Sequence, residues 1–233
     1  ISLSVSLLLG SKKASAIILL PFSNAPECQY SERSHLGLTP SLITDIFISS
    51  KIKVITSYLE TQRDSISFNR EPLCYGAFQE ARGINAYSGH MNNHHFIIFG
   101  NNLMQKLVNN KHFQVEFDYV LTHEFSHYLQ NQLRLDFDHP LPLFASKLKE
   151  LHADCMTGYL MTMTKMIEGQ NKSQLSDLFQ LIGDRHAIGD HGEKHVRESA
   201  FQFGINKALS YSFIQNYAHN SAQIAQSCSE FIN

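Results

Sequence analysis

The chain has little of what marks disordered, fibrous or nucleic-acid-binding proteins. Its 233 residues include only 12 Gly and 6 Pro, and 43% are hydrophobic against 17% charged, which excludes a collagen-like, low-complexity or disordered chain. The 19 basic and 21 acidic residues leave a formal net charge of -2. Because neither sign gathers into a run that could follow a phosphate backbone, we expect a globular protein that does not bind nucleic acid.

Long hydrophobic runs are also missing. The apolar stretches at residues 7–9 and 17–20 are separated by polar residues and two lysines, so we expect no transmembrane segment. Residues 14–16 read Ala-Ser-Ala, a small-residue pattern that precedes signal-peptide cleavage. We therefore expect residues 1–16 to be the remnant of a signal peptide and the protein to be exported, periplasmic or secreted. The alternative is a cytoplasmic protein in which residues 17–20 form a buried strand.

Cysteine is scarce, and its spacing excludes two kinds of site. No pair has the CxxC spacing, so a zinc knuckle and a thioredoxin-like redox motif are both excluded. In an exported protein four cysteines permit two disulfides in three arrangements, which the sequence does not distinguish. The four are Cys28, Cys74, Cys155 and Cys228.

Apolar residues recur at helical spacing over most of the chain. Thr39 and Pro40 suit the start of the first helix, and the second is expected to be amphipathic and to end in the proline-containing segment 136–142. Gly204 is treated as a tolerated weakness inside the last helix. The predicted helices cover about residues 40–62, 112–133, 144–168, 173 to a break at 183–192, and 194–229.

The sheet signal is short. Residues 84–88 and 95–99 are β-prone and are joined by residues 89–93, which predicts a hairpin, whereas residues 63–80 are expected to be irregular. The strand at 95–99 could offer an edge to which an extended peptide adds, the alternative being plain core packing. These patterns predict an α+β fold that is predominantly helical. An N-terminal segment, 17–80, would carry one helix, and residues 81–233 would form one domain.

Histidine is unusually frequent, with 13 residues, and two of them belong to the motif on which the predicted function rests. Residues 123–127 read HExxH within the strongest helical pattern. Residues four apart on a helix lie about 40° apart around its axis, so His123 and His127 can bind one Zn²⁺ while Glu124 acts on a bound water. The alternative is that both imidazoles are solvated on a helix surface.

A third ligand is expected from the next helix. Glu150 and Asp154 are again four residues apart, so one carboxylate can bind the metal and the other can accept the second N–H of a ligand histidine. Glu150 is the expected ligand, and Asp154 is expected to accept the second N–H of a ligand histidine. His152 competes on residue type, but it lies about 200° around the helix from Glu150 and would face the other way.

The segments HEFSHYLQ (123–130) and ELHADCMTGYL (150–160), followed by His191-Gly192 and Arg197, resemble the gluzincin metallopeptidases. The resemblance is closest to the bacterial family of neutral zinc metallopeptidases, from which the chain departs at Tyr128 and Ala200. It implies a zincin-like fold in which the HExxH helix packs on a second ligand-bearing helix, with residues 81–233 as the metallopeptidase core. It also implies zinc as cofactor and a peptide or protein substrate, and it leaves the oligomeric state open.

The resemblance and the residues together predict a zinc metalloendopeptidase. Zn²⁺ would be held by His123, His127 and Glu150, and Glu124 would be the general base.

The distal segment would add an oxyanion donor, His191 or Arg197. We expect His191 to be the non-ligand histidine nearest to the zinc-binding atoms, where it either stabilises the transition state or blocks the metal. The alternatives for these two residues are a solvated loop histidine and a surface arginine in a salt bridge.

Two other functions stay open. One is a non-catalytic zinc-binding module, and the other is an envelope interaction or chaperone-like protein that retains a protease fold. Glu124 argues against the first, because a structural zinc site has no use for a carboxylate between its two histidines.

Overall fold

The computed structural model describes residues 45–61, 73–78, 86–91, 94–100, 112–137, 140–167, 193–215 and 219–232, with residues 103, 107 and 179. Within these ranges the predominantly helical character is confirmed. The helices are α1 Asp45–Thr61, α2 Phe113–Gln132, α3 Pro142–Met163, α4 Lys194–Gln215 and α5 Ser221–Ile232. The strands are β1 Leu73–Phe78, β2 Ala86–Met91 and β3 His94–Gly100. The expected leader, the helix expected from residue 173, Cys28 and His191 lie outside the described residues.

The three strands form one sheet in the order β1-β3-β2. The predicted hairpin is confirmed, since β2 and β3 pair antiparallel, with Ala86 opposite Phe99 and Met91 opposite His94. The strands are longer than predicted, and only residues 92 and 93 separate them.

One expectation about the sheet is wrong, and one of two alternatives for the strand at 95–99 is excluded. Residues 63–80 are not all irregular, because β1 pairs parallel with β3, with Leu73 opposite His95. That pairing joins segments far apart in the chain, so the local pattern of β1 does not reveal it. Nor does the strand at 95–99 offer an open edge, because β3 lies between β1 and β2.

Helix α2 lies at the centre of the molecule. It is buried around its whole circumference from Val115 to Gln130, so the alternative in which the imidazoles of His123 and His127 are solvated on a helix surface is wrong. One side packs into the core, and the polar side faces other helices and carries the candidate site. The core around α2 includes Ile55, Leu59, Ile97, Phe99, Phe117, Leu121, Phe125 and Leu129.

Helices α3 and α4 cross in backbone contact at two glycines. A Cβ on Gly204 would lie 1.9 Å from the carbonyl oxygen of Cys155, and a Cβ on Gly158 would lie 2.1 Å from that of Phe201. Any side chain here would force the helices apart. Gly204 is therefore a packing requirement, and its interpretation as a tolerated weakness is wrong.

The last predicted helix, 194–229, is two helices. α4 ends at Gln215, and α5 begins at Ser221 behind a reciprocal cap formed by Asn220 and Gln223. The Asn220 side-chain oxygen accepts from the Gln223 backbone N–H at 3.0 Å, and the Gln223 side-chain oxygen accepts from the Asn220 N–H at 3.1 Å. This capping box satisfies backbone donors that would otherwise favour continuing the helix.

A disulfide between Cys155 and Cys228 joins α5 to α3. Both cysteines are fully buried. This pairing excludes two of the three arrangements that four cysteines permit.

No described helix combines the length and the apolar character needed to cross a membrane.

Candidate metal centre

Helices α2 and α3 bring together three side chains that could hold a metal ion. The Nε2 atoms of His123 and His127 lie 3.2 Å apart, and each is 3.1 Å from a carboxylate oxygen of Glu150. Ligand atoms around a tetrahedral zinc ion with bonds of 2.0–2.1 Å lie about 3.3 Å apart. The three side chains therefore have a spacing that fits a small four-coordinate cation.

The tautomer of His127 is determined by Gln130. The Gln130 Nε2 donates to the backbone carbonyl of Lys149 at 3.0 Å, so its Oε1 must be the atom that lies 2.8 Å from the Nδ1 of His127. An amide oxygen only accepts, so this Nδ1 carries the hydrogen. The Nε2 of His127 is then left as a lone pair directed at Glu150.

His123 is oriented in the same way by Asp154. Its Nδ1 is 2.9 Å from the Asp154 Oδ1, an ion-pair contact whose angle is unfavourable for a hydrogen bond. A carboxylate also only accepts, so the proton belongs on Nδ1 and the Nε2 lone pair turns towards Glu150. Two imidazole lone pairs and a carboxylate thus converge on one point, which is the donor set of a cation site.

Electrostatics at His123 favour positive charge. Burial by itself lowers the pKa of His123, but Asp154 and then Glu150 outweigh burial and raise the pKa to about 10. The protein stabilises a cation at this point, whether a proton or a metal.

Asp154 is itself held by a buried network. Arg197 donates from Nε to its Oδ2 at 2.7 Å and from Nη2 to its Oδ1 at 2.9 Å, and the Tyr119 hydroxyl donates to the same Oδ1. Burial raises the pKa of Asp154, but Arg197 and His123 outweigh burial and lower it. Arg197 is only 2% exposed, so the alternative of a surface arginine is wrong. Its Nη2 also lies 3.8 Å from Glu150, at the edge of the metal centre.

Glu124 is buried beside the two histidines, with 7% exposure. Burial raises the pKa of Glu124, and the nearby imidazoles of His127 and His123 offset part of that rise. A carboxylate with a raised pKa accepts a proton more readily than one in water, as a general base requires.

His152 faces away from the metal ligands, as expected from its helical position. It is fully buried, its Nδ1 lies 3.0 Å from the Gln130 Nε2, and its Nε2 lies 2.9 Å from the carbonyl oxygen of Ala225. Burial lowers the pKa of His152 to about 4, although the hydrogen bond to Ala225 acts in the opposite direction.

Sequence reasoning missed three supporting residues. Tyr119 lies four residues before His123, and Gln130 lies three after His127. Both therefore share the α2 face of the candidate ligands, and this spacing could have identified them from the sequence. His152 gave no such signal, because its acceptor, Ala225, is far along the chain. The expected position of His191 concerns residues that the structure does not describe.

A scan of protein-family models found no match to this chain, and searches of curated proteins and of solved structures found none either.

Proposed function

We propose that this chain is a zinc-dependent metallopeptidase of the gluzincin type, with a zincin-like fold. The observation that carries the proposal is the convergence of two imidazole lone pairs and one carboxylate, with each imidazole held by a partner of its own. The HExxH context favours zinc over other metals that bind two histidines and a carboxylate.

His123, His127 and Glu150 would hold the zinc, which when bound supplies Lewis-acid polarisation of a water and of the scissile carbonyl. The Glu124 carboxylate would accept a proton from the attacking water and would deliver it to the leaving amine of the cleaved peptide bond. Asp154 holds the His123 imidazole in its Nδ1–H form, and Arg197 holds Asp154. The side chains of His123, His127 and Glu150 keep 8–15% exposure, so a small part of each is accessible to solvent.

The test combines metal analysis with a peptidase assay. Purified protein should contain one zinc per chain, and His123→Ala, His127→Ala and Glu150→Ala should each lose most of it. Zinc content would be measured by mass spectrometry of the metal, and hydrolysis by mass spectrometry of a mixed peptide library. Full zinc occupancy in all three variants would contradict the ligand assignment.

Glu124→Gln separates the peptidase from its alternatives. This variant should keep the zinc and the fold but lose hydrolysis by several hundred-fold, because the missing group transfers protons and does not bind the metal. Zinc binding without any hydrolysis in the wild-type protein would favour the non-catalytic zinc-binding module. Absence of both would favour the interaction or chaperone-like protein.

A further inference from the structure

The buried hydrogen bonds between α2, α3 and α5 form a relay that ends on a candidate metal ligand. It runs from the carbonyl of Ala225 through His152 and Gln130 to His127. We propose that His152 is a positioning residue for the metal centre: through Gln130 it holds His127 in the Nδ1–H tautomer, which presents Nε2 to the metal. This inference rests on the proposed metal site.

Each hydrogen bond in this relay has only one allowed direction. The Ala225 carbonyl accepts, so the His152 Nε2 must donate, and the neutral ring then has a lone pair on Nδ1. That lone pair accepts from the Gln130 Nε2 at 3.0 Å, which turns the Gln130 oxygen towards His127. A reversed amide would place its oxygen against the lone pair of His152.

A second carbonyl supports the same arrangement. The Gln130 amide nitrogen has two hydrogens, and the other one goes to Lys149 at 3.0 Å. Both hydrogens of this amide are therefore used, and its oxygen is left for His127. The two carbonyls belong to different elements, α3 and α5, so the tautomer of the ligand depends on how these helices pack.

The surroundings keep the His152 ring in one orientation. Phe137 packs edge-on against it, with ring centroids 5.2 Å apart. The disulfide from Cys155 to Cys228 holds α5, and with it the Ala225 carbonyl, against α3. The Ala225 carbonyl is therefore held in place as the acceptor for the His152 Nε2–H.

The first test measures zinc affinity by competition with a chelator. His152→Leu should bind zinc at least tenfold more weakly, the range typical of lost partners of metal-ligand histidines. His152→Gln should stay within about threefold of wild type, because its amide can accept from Gln130 and donate to Ala225. His219→Leu is the matched control, since it removes another imidazole packed against α3, beside Tyr159, without touching the relay.

Non-additivity tests whether His152 acts through Gln130. Adding His152→Leu to Gln130→Leu should weaken zinc binding little beyond Gln130→Leu alone. Equal affinity of His152→Leu and wild type, or no rescue by His152→Gln, would overturn the proposal.

A second measurement needs no variant. Long-range proton–nitrogen NMR of the wild-type protein should show His152 protonated on Nε2 and His127 protonated on Nδ1, with or without zinc. Protonation of His152 on Nδ1 would overturn the relay even if the protein binds zinc. The expected tautomers in a protein that binds zinc without hydrolysing peptides would support the role of His152 and contradict only the proposed peptidase activity. A protein that binds no zinc would contradict both proposals.

Discussion

Arg197 and Asp154 form a buried, doubly hydrogen-bonded ion pair that joins α4 to α3 directly behind His123. The two hydrogen bonds measure 2.7 and 2.9 Å, and neither residue exposes more than 2% of its surface. Because Asp154 also contacts His123, the packing of α4 is linked to the orientation of a candidate metal ligand.

Removing one member of this pair should be costly. Arg197→Met leaves a buried carboxylate without its main partner, and we expect a loss of about 3–5 kcal/mol in the free energy of unfolding, measured by urea denaturation. Lys207→Met is the control, because Glu230 in the Lys207–Glu230 pair is 57% exposed, so the pair should be worth less than about 1 kcal/mol. Equal losses in the two variants would contradict a special role for the buried pair.

Gly204→Ala should destabilise the protein although alanine favours helix. The new methyl group would meet the carbonyl of Cys155, and backbone cannot move aside as a flexible side chain can. The free-energy cost of overpacking then exceeds the gain from helix propensity. We expect a net loss of about 2–3 kcal/mol in the free energy of unfolding. Ser210→Ala, on an exposed position of the same helix, should change the stability by less than about 0.5 kcal/mol. Thermal and chemical denaturation of both variants would decide the point.

The disulfide should contribute strongly to stability. Cys155 and Cys228 are 73 residues apart. Closing a loop of that size restricts the unfolded chain by about 4 kcal/mol. The double variant with alanine at both positions should lose about this amount under oxidising conditions. With dithiothreitol present, the difference from wild type should shrink to the cost of lost packing, and an unchanged difference would show that the disulfide itself contributes nothing.

His152 should make stability depend on pH. Its pKa is lowered to about 4 in the folded protein, against about 6.5 in an unfolded chain. Between these values the unfolded chain binds the extra proton, so stability falls as the pH drops from about 7 to 4, by up to about 3 kcal/mol. His152→Gln lacks this titratable imidazole and should lose less stability over the same pH range. Denaturation of both proteins, metal-free and across this range, checks the prediction. Parallel pH curves would contradict it.

The sequence supported predictions wherever structure depends on neighbours in the chain. The hairpin and most of α2 and α3 follow from local periodicity, and the spacing within 123–127 and 150–154 identified side chains that the structure brings together. The reciprocal cap at Asn220 and Gln223 also has a fixed local spacing, but the prediction of one helix over 194–229 overlooked it.

Other features that sequence reasoning missed depend on partners far along the chain. β1 is a strand only because β3 lies beside it, and Gly204 is required only because Cys155 crosses it. His152 gains its orientation from Ala225. No local pattern contains these contacts, because they arise when the helices pack.

The contacts between α5 and the residues around the candidate metal centre also imply an order in which parts of the protein fold during synthesis. A ribosome makes His123, His127 and Glu150 long before it reaches Cys228, which is 73 residues beyond Cys155. Contacts between distant segments form late in folding, so a nascent chain holds His123, His127 and Glu150 before it holds the Ala225 carbonyl that accepts from His152. For the proposed peptidase, the complete relay from Ala225 to His127, with the disulfide that holds α5 against α3, then exists only in chains elongated through residue 228.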